Sequence, residues 1–176
     1  MRIRNALGLA LVLALAWPVQ AAGGASVSCE ILENGQPASG TVALLSGDKE
    51  VAQGSCGKPI AVGPGDYTAV LSLDGALDGP QERKPVTVKA SGAAKVSADF
   101  ATGLLEVRIK SQGRDTAGMA VIRKGGAQIG TLGSGVPAHL SVGTYEVVAR
   151  YRTQQKAFPD VAIKKGKRTV LDAAFE

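Results

Sequence analysis

VGPGDYTAVLSLDG spans residues 62–75 and LSVGTYEVVARYRT spans residues 140–153. Each sets a glycine, one spacer and a tyrosine ahead of a run in which apolar side chains alternate. Alternation with a period of two marks a strand whose two faces meet different surroundings. A glycine can take the positive φ of a tight corner. A tyrosine just after it can bury its ring and return its hydroxyl to nearby backbone, the tyrosine corner of sandwich folds. Gly65, Tyr67, Gly143 and Tyr145 are therefore read as structural corners and not as a site.

The same corner appears twice because the surrounding sequence does. Shifted by 78 residues, 40–67 aligns with 118–145 without a gap, matching Gly40 with Gly118, Gly47 with Gly125, Pro59 with Pro137 and Tyr67 with Tyr145. At an offset of 75, VTVKASGAAKVSADF (86–100) falls on VAIKKGKRTVLDAAF (161–175). The change of offset falls in a loop, where repeats usually differ. The chain is expected to hold two tandem domains, residues 22–101 and 102–176. Each yields seven short candidate strands separated by Gly, Pro, Ser or Asp clusters. From SVSCEILE to KVSADF, and from LLEVRIK to RTVLDAAF, no helical stripe intervenes. The expected fold is all-β: two seven-stranded antiparallel β-sandwiches of immunoglobulin-like or transthyretin-like type. A single closed barrel would not produce the internal match.

Residues 1–21 read as a cleaved signal peptide. Arg2 and Arg4 give a basic start, ALGLALVLALAW a short apolar core, and Val19-Gln20-Ala21 a small-residue cleavage site. No basic stop-transfer cluster follows, so no transmembrane segment is expected in the mature chain. Export to the periplasm or beyond permits a disulfide between Cys29 and Cys56, the only cysteines. An acylated Cys29 does not fit, because it lies far beyond the apolar core and follows Ser26-Val27-Ser28.

The two corners resemble those of bacterial exported carboxypeptidase-regulatory-like, or transthyretin-like, β-sandwich repeats. In those repeats an L-x-x-G-x-Y corner leads into a strand, as at Val62…Gly65-Asp66-Tyr67 and Leu140…Gly143-Thr144-Tyr145. The usual D-G-x-P turn is here ENGQP (33–37) and SQGRD (111–115). The resemblance implies an accessory, adhesive or scaffolding module with no catalytic set to carry over.

Enzymatic and metal chemistry find little support in the residues. His139 is the only histidine and is expected to face outward from an ordinary strand, with no second His or Cys to share a metal. No G-x-S-x-G elbow is present. DGALDG (74–79) lacks the alternating ligands of a calcium loop and reads as a turn, with calcium left open. Glycan binding would want exposed aromatic platforms, and of the aromatics beyond residue 21 only Phe158 is expected to be exposed. No cofactor is expected, and nucleic acid is disfavoured by export and by the lack of stacking aromatics.

Charge carries the remaining signal. Residues 22–101 hold 6 Lys and Arg against 9 Asp and Glu, whereas 102–176 hold 12 against 6. Alternation turns Arg108, Lys110, Arg150 and Arg152 away from the core. They are expected to form a cationic sheet face that docks an anionic partner, a protein or an envelope component. The function expected is thus a non-enzymatic interaction or scaffold module. The alternative is a small-ligand or glycan-binding module that uses the groove between the two domains.

Overall fold

The computed structural model describes residues 24–176, so the signal-peptide reading of residues 1–21 lies outside the described residues. All regular structure within them is β. The first half contributes β1 (Ser26–Glu33), β2 (Gln36–Ala38), β3 (Gly40–Ser46), β4 (Lys49–Ser55), β5 (Ile60–Ala61), β6 (Gly65–Leu73), β7 (Gln81–Val88) and β8 (Ala93–Phe100). The second contributes β9 (Thr102–Ser111), β10 (Arg114–Asp115), β11 (Met119–Lys124), β12 (Ala127–Gly133), β13 (Ala138–Ser141), β14 (Gly143–Tyr151), β15 (Gln154–Ile163) and β16 (Arg168–Phe175).

Each half builds two four-stranded sheets. One has β1 paired with β2, β5 and β8; the other runs β4-β3-β6-β7. The second half follows the same order, with β9 paired with β10, β13 and β16, and with β12-β11-β14-β15 opposite. Even the first turns agree: Asn34 (φ 56°) and Gln112 (φ 51°) each precede a glycine in the left-handed region. The alternating side chains of the facing sheets fill two apolar clusters. One centres on Val27, Ile31, Val42, Leu44, Leu71 and Val88. The other centres on Leu105, Ile109, Ile122, Tyr145, Val147 and Ile163.

Two expectations change. The sheets are mixed and not purely antiparallel, because β1 pairs β8 in parallel from Ser26↔Ala93 to Glu33↔Phe100. β9 pairs β16 in the same sense, from Leu104↔Arg168 to Ser111↔Phe175. Alternation reports which side chains turn inward and is blind to strand direction. Each half also carries eight strands where seven were expected. The additions, β2 and β10, are short hairpin partners with hardly any apolar pattern: Gln36-Pro37-Ala38 and Arg114-Asp115.

Cys29 and Cys56 form the disulfide, with Cα atoms 4.8 Å apart, tying β1 to the crossover between the two sheets. Closing a loop with a sequence separation of 27 stabilises by about 3–4 kcal/mol on the chain-entropy estimate. At the corresponding place in the second half, Ser134 Oγ accepts the Ile109 N–H at 2.9 Å, a lighter tie.

Candidate binding surface and the joint that orients it

Both corners close as tyrosine corners, but with different partners. Gly65 (φ 155°) and Gly143 (φ 158°) take a backbone that side-chain-bearing residues rarely adopt. Tyr67 then donates its hydroxyl proton to Gly63 O at 2.9 Å, in an exposed setting. Tyr145 is 1% exposed, and its hydroxyl lies 2.8 Å from Ser141 O. That hydroxyl also lies 2.9 Å from Asp78 Oδ2, and Asp78 belongs to the first half. Burial first, then the Asp78 hydrogen bond and charge, raise the Tyr145 pKa well above the usual phenol range.

Asp78 sits in the β6–β7 loop, the DGALDG stretch. Its Oδ1 accepts the Ser141 N–H at 3.1 Å, and Lys124 Nζ lies 3.6 Å from Oδ2. Burial pushes this carboxyl upward. Hydrogen bonds from Ser141 and Tyr145 and the Lys124 charge more than reverse it, leaving the pKa below the ordinary aspartate value. One residue earlier, Leu77 packs against the second half's core, and its N–H donates to His139 O at 2.8 Å. The loop is therefore a plug that seats an apolar side chain and a carboxylate of the first half in the second. With its carboxylate engaged this way, Asp78 is spoken for, and among the described residues no cluster of three His, Cys, Asp or Glu could hold a metal.

A second polar group joins the halves beside the one-residue link Ala101. His139 Nδ1 lies 2.6 Å from Glu33 Oε1, so this histidine has a specific partner and does not simply face solvent. Thr102 donates its hydroxyl proton to the same carboxylate oxygen, and Asn34 Oδ1 accepts the Thr102 N–H at 3.0 Å. Burial raises the Glu33 pKa, but the Thr102 and His139 contacts outweigh it and hold the group below its ordinary value. Thr102 is fully buried, and no buried side-chain polar atom among the described residues lacks a partner. The cavity left between the halves, lined by Asn34, Thr102, His139 and Lys167 among others, is only about 80 Å³. Small-molecule sites typically enclose ~300–1,000 Å³, so this groove gives a ligand little room.

The four cations expected to share one face are divided. Arg108 and Lys110 lie on β9 in one sheet, whereas Arg150 lies on β14 in the other and Arg152 in the turn after it. Neighbouring in-out patterns do not reveal whether two strands share a sheet, and β9 pairs β10, β13 and β16, not β14.

The β9 pair is also neutralised. Arg108 Nε lies 2.7 Å from Glu106 Oε1, Arg168 reaches the other oxygen, and Lys110 Nζ lies 3.0 Å from Asp172. Glu106 points outward by alternation, yet it is buried beneath these guanidinium groups. Their hydrogen bonds, Arg108 first, lower its pKa against the opposing effect of desolvation. Glu106 in turn raises the Arg108 pKa, and Asp172 and Asp115 add to it more weakly. This outer face is a ladder of alternating sign.

Arg150 and Arg152, with Arg114, have no ion-pair partner among the described residues. They gather at the end of the second half remote from the joint. A Cβ added at Gly118 would lie 2.6 Å from the Ile109 side chain and 2.8 Å from Arg150 O, so the two sheets meet closely there. Tyr151, the last residue of β14, reaches across to Phe175 at the end of β16, the parallel neighbour of β9, so these strand ends lie side by side. The Tyr151 ring lies 5.8 Å from Phe175, and the Arg152 guanidinium stands 5.1 Å from its centroid. Phe158, expected to be exposed, is half-buried against the core.

No protein-family model matches the chain, and a search of curated proteins finds no significant match. Among solved structures, the Bacillus anthracis TIE protein aligns with 86% of this chain at 15% identity and a TM-score of 0.36. This chain spans only 34% of that protein's length. A Bacteroides ovatus protein described in terms of cell adhesion aligns with 89% of the chain, and 94% of its own, at 10% identity and a TM-score of 0.40. The C-terminal fragment of the Lactobacillus rhamnosus pilus adhesin SpaC aligns with 86%, and 96% of its own, at 12% identity and a TM-score of 0.31. Likeness at this level assigns neither activity nor partner. Among the described residues, no helix is long and apolar enough to cross a membrane.

Proposed function

We propose that the protein is an exported, non-enzymatic interaction module made of two β-sandwich domains, residues 22–101 and 102–176. It binds an anionic partner at the end of the second domain remote from the joint. The observation that carries this reading is the contrast among its arginines. Arg108 is committed to Glu106, whereas Arg150 and Arg152 lie at the same end with no ion-pair partner among the described residues. Unpaired guanidinium groups raise the local concentration of an anionic partner and orient its approach. Arg108 and Lys110 serve at most as the margin of this surface. Export is supported by the disulfide together with the leader-like residues 1–21.

Retention on immobilised heparin in a salt gradient tests the reading. The parent is expected to be held, and Arg150→Ala/Arg152→Ala to elute at clearly lower salt, whereas Arg108→Ala shifts elution little. Equal elution of the parent and the double variant would remove the assignment.

A further inference from the structure

We infer that the anionic partner is a lipid surface, and that this end of the second half docks on it by inserting Val136 and Met119 between anionic headgroups that Arg150 and Arg152 engage. This inference rests on the binding end proposed above and specifies its partner.

Val136 and Met119 are 53% and 46% exposed, the two most exposed large apolar side chains among the described residues. The turn holding Val136 abuts the start of β11, because Ser134 donates its N–H to Gly118 O at 3.1 Å and Gly133 is the register partner of Met119. On its other side Met119 pairs in register with Arg150. Arg152 follows in the turn with a left-handed backbone (φ 51°).

At the positions matching Met119, Val136, Arg150 and Arg152, the first half carries Thr41, Lys58, Ser72 and Asp74. There that end holds the plug loop and faces the joint. The second half thus gains exposed apolar groups and unpaired cations together, at the one end where its counterpart meets protein.

A lipid surface answers that combination. Exposed apolar side chains flanked by cations enter the headgroup boundary while the guanidinium groups stay among phosphates. A bilayer is also laterally adaptable and needs no shaped groove, which suits side chains presented from a turn and a strand start. Glu176, next to Phe175 at the end of β16, carries an opposing charge, as do Asp115 and Glu106, which line the same depression as the Gly133–Gly135 turn and both act on Arg108.

The test is co-sedimentation of the mature chain with phosphatidylcholine vesicles, with and without phosphatidylglycerol, run beside heparin and soluble polyglutamate. The parent is expected to pellet with the anionic vesicles only. Arg150→Ala/Arg152→Ala should lose vesicle and heparin binding together, by roughly fivefold per arginine at the vesicle. Val136→Ser and Met119→Ser change half-exposed side chains, and a far-UV spectrum matching the parent's checks that the fold is kept. They should weaken vesicle binding several-fold and leave heparin retention unchanged. Heparin and polyglutamate binding without vesicle binding overturns the lipid inference, favours an acidic protein, and leaves the anionic-partner reading standing. Vesicle binding unchanged in both serine variants overturns the insertion. Loss of every interaction in the parent removes both readings.

Discussion

The Asp78 carboxylate of the first half stands 2.9 Å from the Tyr145 hydroxyl of the second, so one side chain of the plug loop completes the other half's corner. Tyr67, at the equivalent corner, has only Gly63 O. The residue that closes a turn in one half closes a turn and a joint in the other.

Removing the two hydroxyls should therefore have unequal effects. Tyr67→Phe deletes one exposed neutral hydrogen bond and is expected to cost about 1 kcal/mol or less. Tyr145→Phe deletes a buried contact to a carboxylate and is expected to cost about 2–3 kcal/mol. Urea denaturation of both variants compares them, and equal losses would contradict the special role of Tyr145.

Acid should loosen the joint before it unfolds the sandwiches. The carboxyls of Asp78 and Glu33 both have folded-state pKa values below their ordinary ones. Their contribution is complete above the unfolded values, about 3.9 and 4.3. It is lost as pH falls through the lower folded values. Amide exchange at residues 74–79, taken relative to its intrinsic rate at each pH, is expected to accelerate below about pH 4. Asp78→Asn should make it faster at neutral pH and flatten its acid dependence. An unaltered profile in that variant would rule out Asp78 as the titrating group.

Leu77 and Gly130 form a matched pair across the joint. A Cβ at Gly130 would lie 2.5 Å from Leu77 Cδ1. Gly130→Ala is expected to destabilise by about 1–3 kcal/mol through overpacking. Adding Leu77→Ala should recover part of that loss, giving a double variant that falls short of the sum of the singles. Strict additivity in thermal melts would show that the two side chains do not meet in solution.

Reduction should act on one half. Breaking Cys29–Cys56 is expected to lower the stability of the first half by about 3–4 kcal/mol. The second half, tied at that place by Ser134 and Ile109, should be untouched. Tyr67 and Tyr145 lie in different halves, so tyrosine-resolved NMR of reduced protein in urea reads them separately. Simultaneous loss of both signals at an unchanged midpoint would be the contrary result.

Much of this architecture is legible in the sequence. SVSCEILE, GTVALLS, MAVIRK and RTVLDAAF coincide with β1, β3, β11 and β16, because half-buried strands must alternate. The opening residues of β7 and β15, Gln81–Lys84 and Gln154–Ala157, carry no such pattern. Both are edge strands that pair on one side only, so apolar alternation is not demanded of them. Strand direction was not legible, since the parallel partners are the first and last strands of each half. The candidate surface was half legible. Alternation turns Arg108 and Arg150 away from the core, but it could not show that they belong to opposite sheets. Nor could it show that Glu106 and Asp172 neutralise the cations on β9. The role of DGALDG was hidden because a turn former and a docking plug share one composition. What separates them is contact across the joint: the bridge of Ala76 with His139, Leu77 in the second half's core and Asp78 on Tyr145.

The parallel ladders also set how the molecule would answer a pull. Tension entering at Ser26 and leaving at Phe100 grips β1 and β8 at opposite ends, so the eight registers between them are loaded in shear and must fail together. β9 and β16 repeat that arrangement from Thr102 to Phe175. An antiparallel terminal pair would instead peel apart one hydrogen bond at a time. Stretching single molecules by their termini should accordingly record two abrupt, high-force ruptures, not a gradual unzipping.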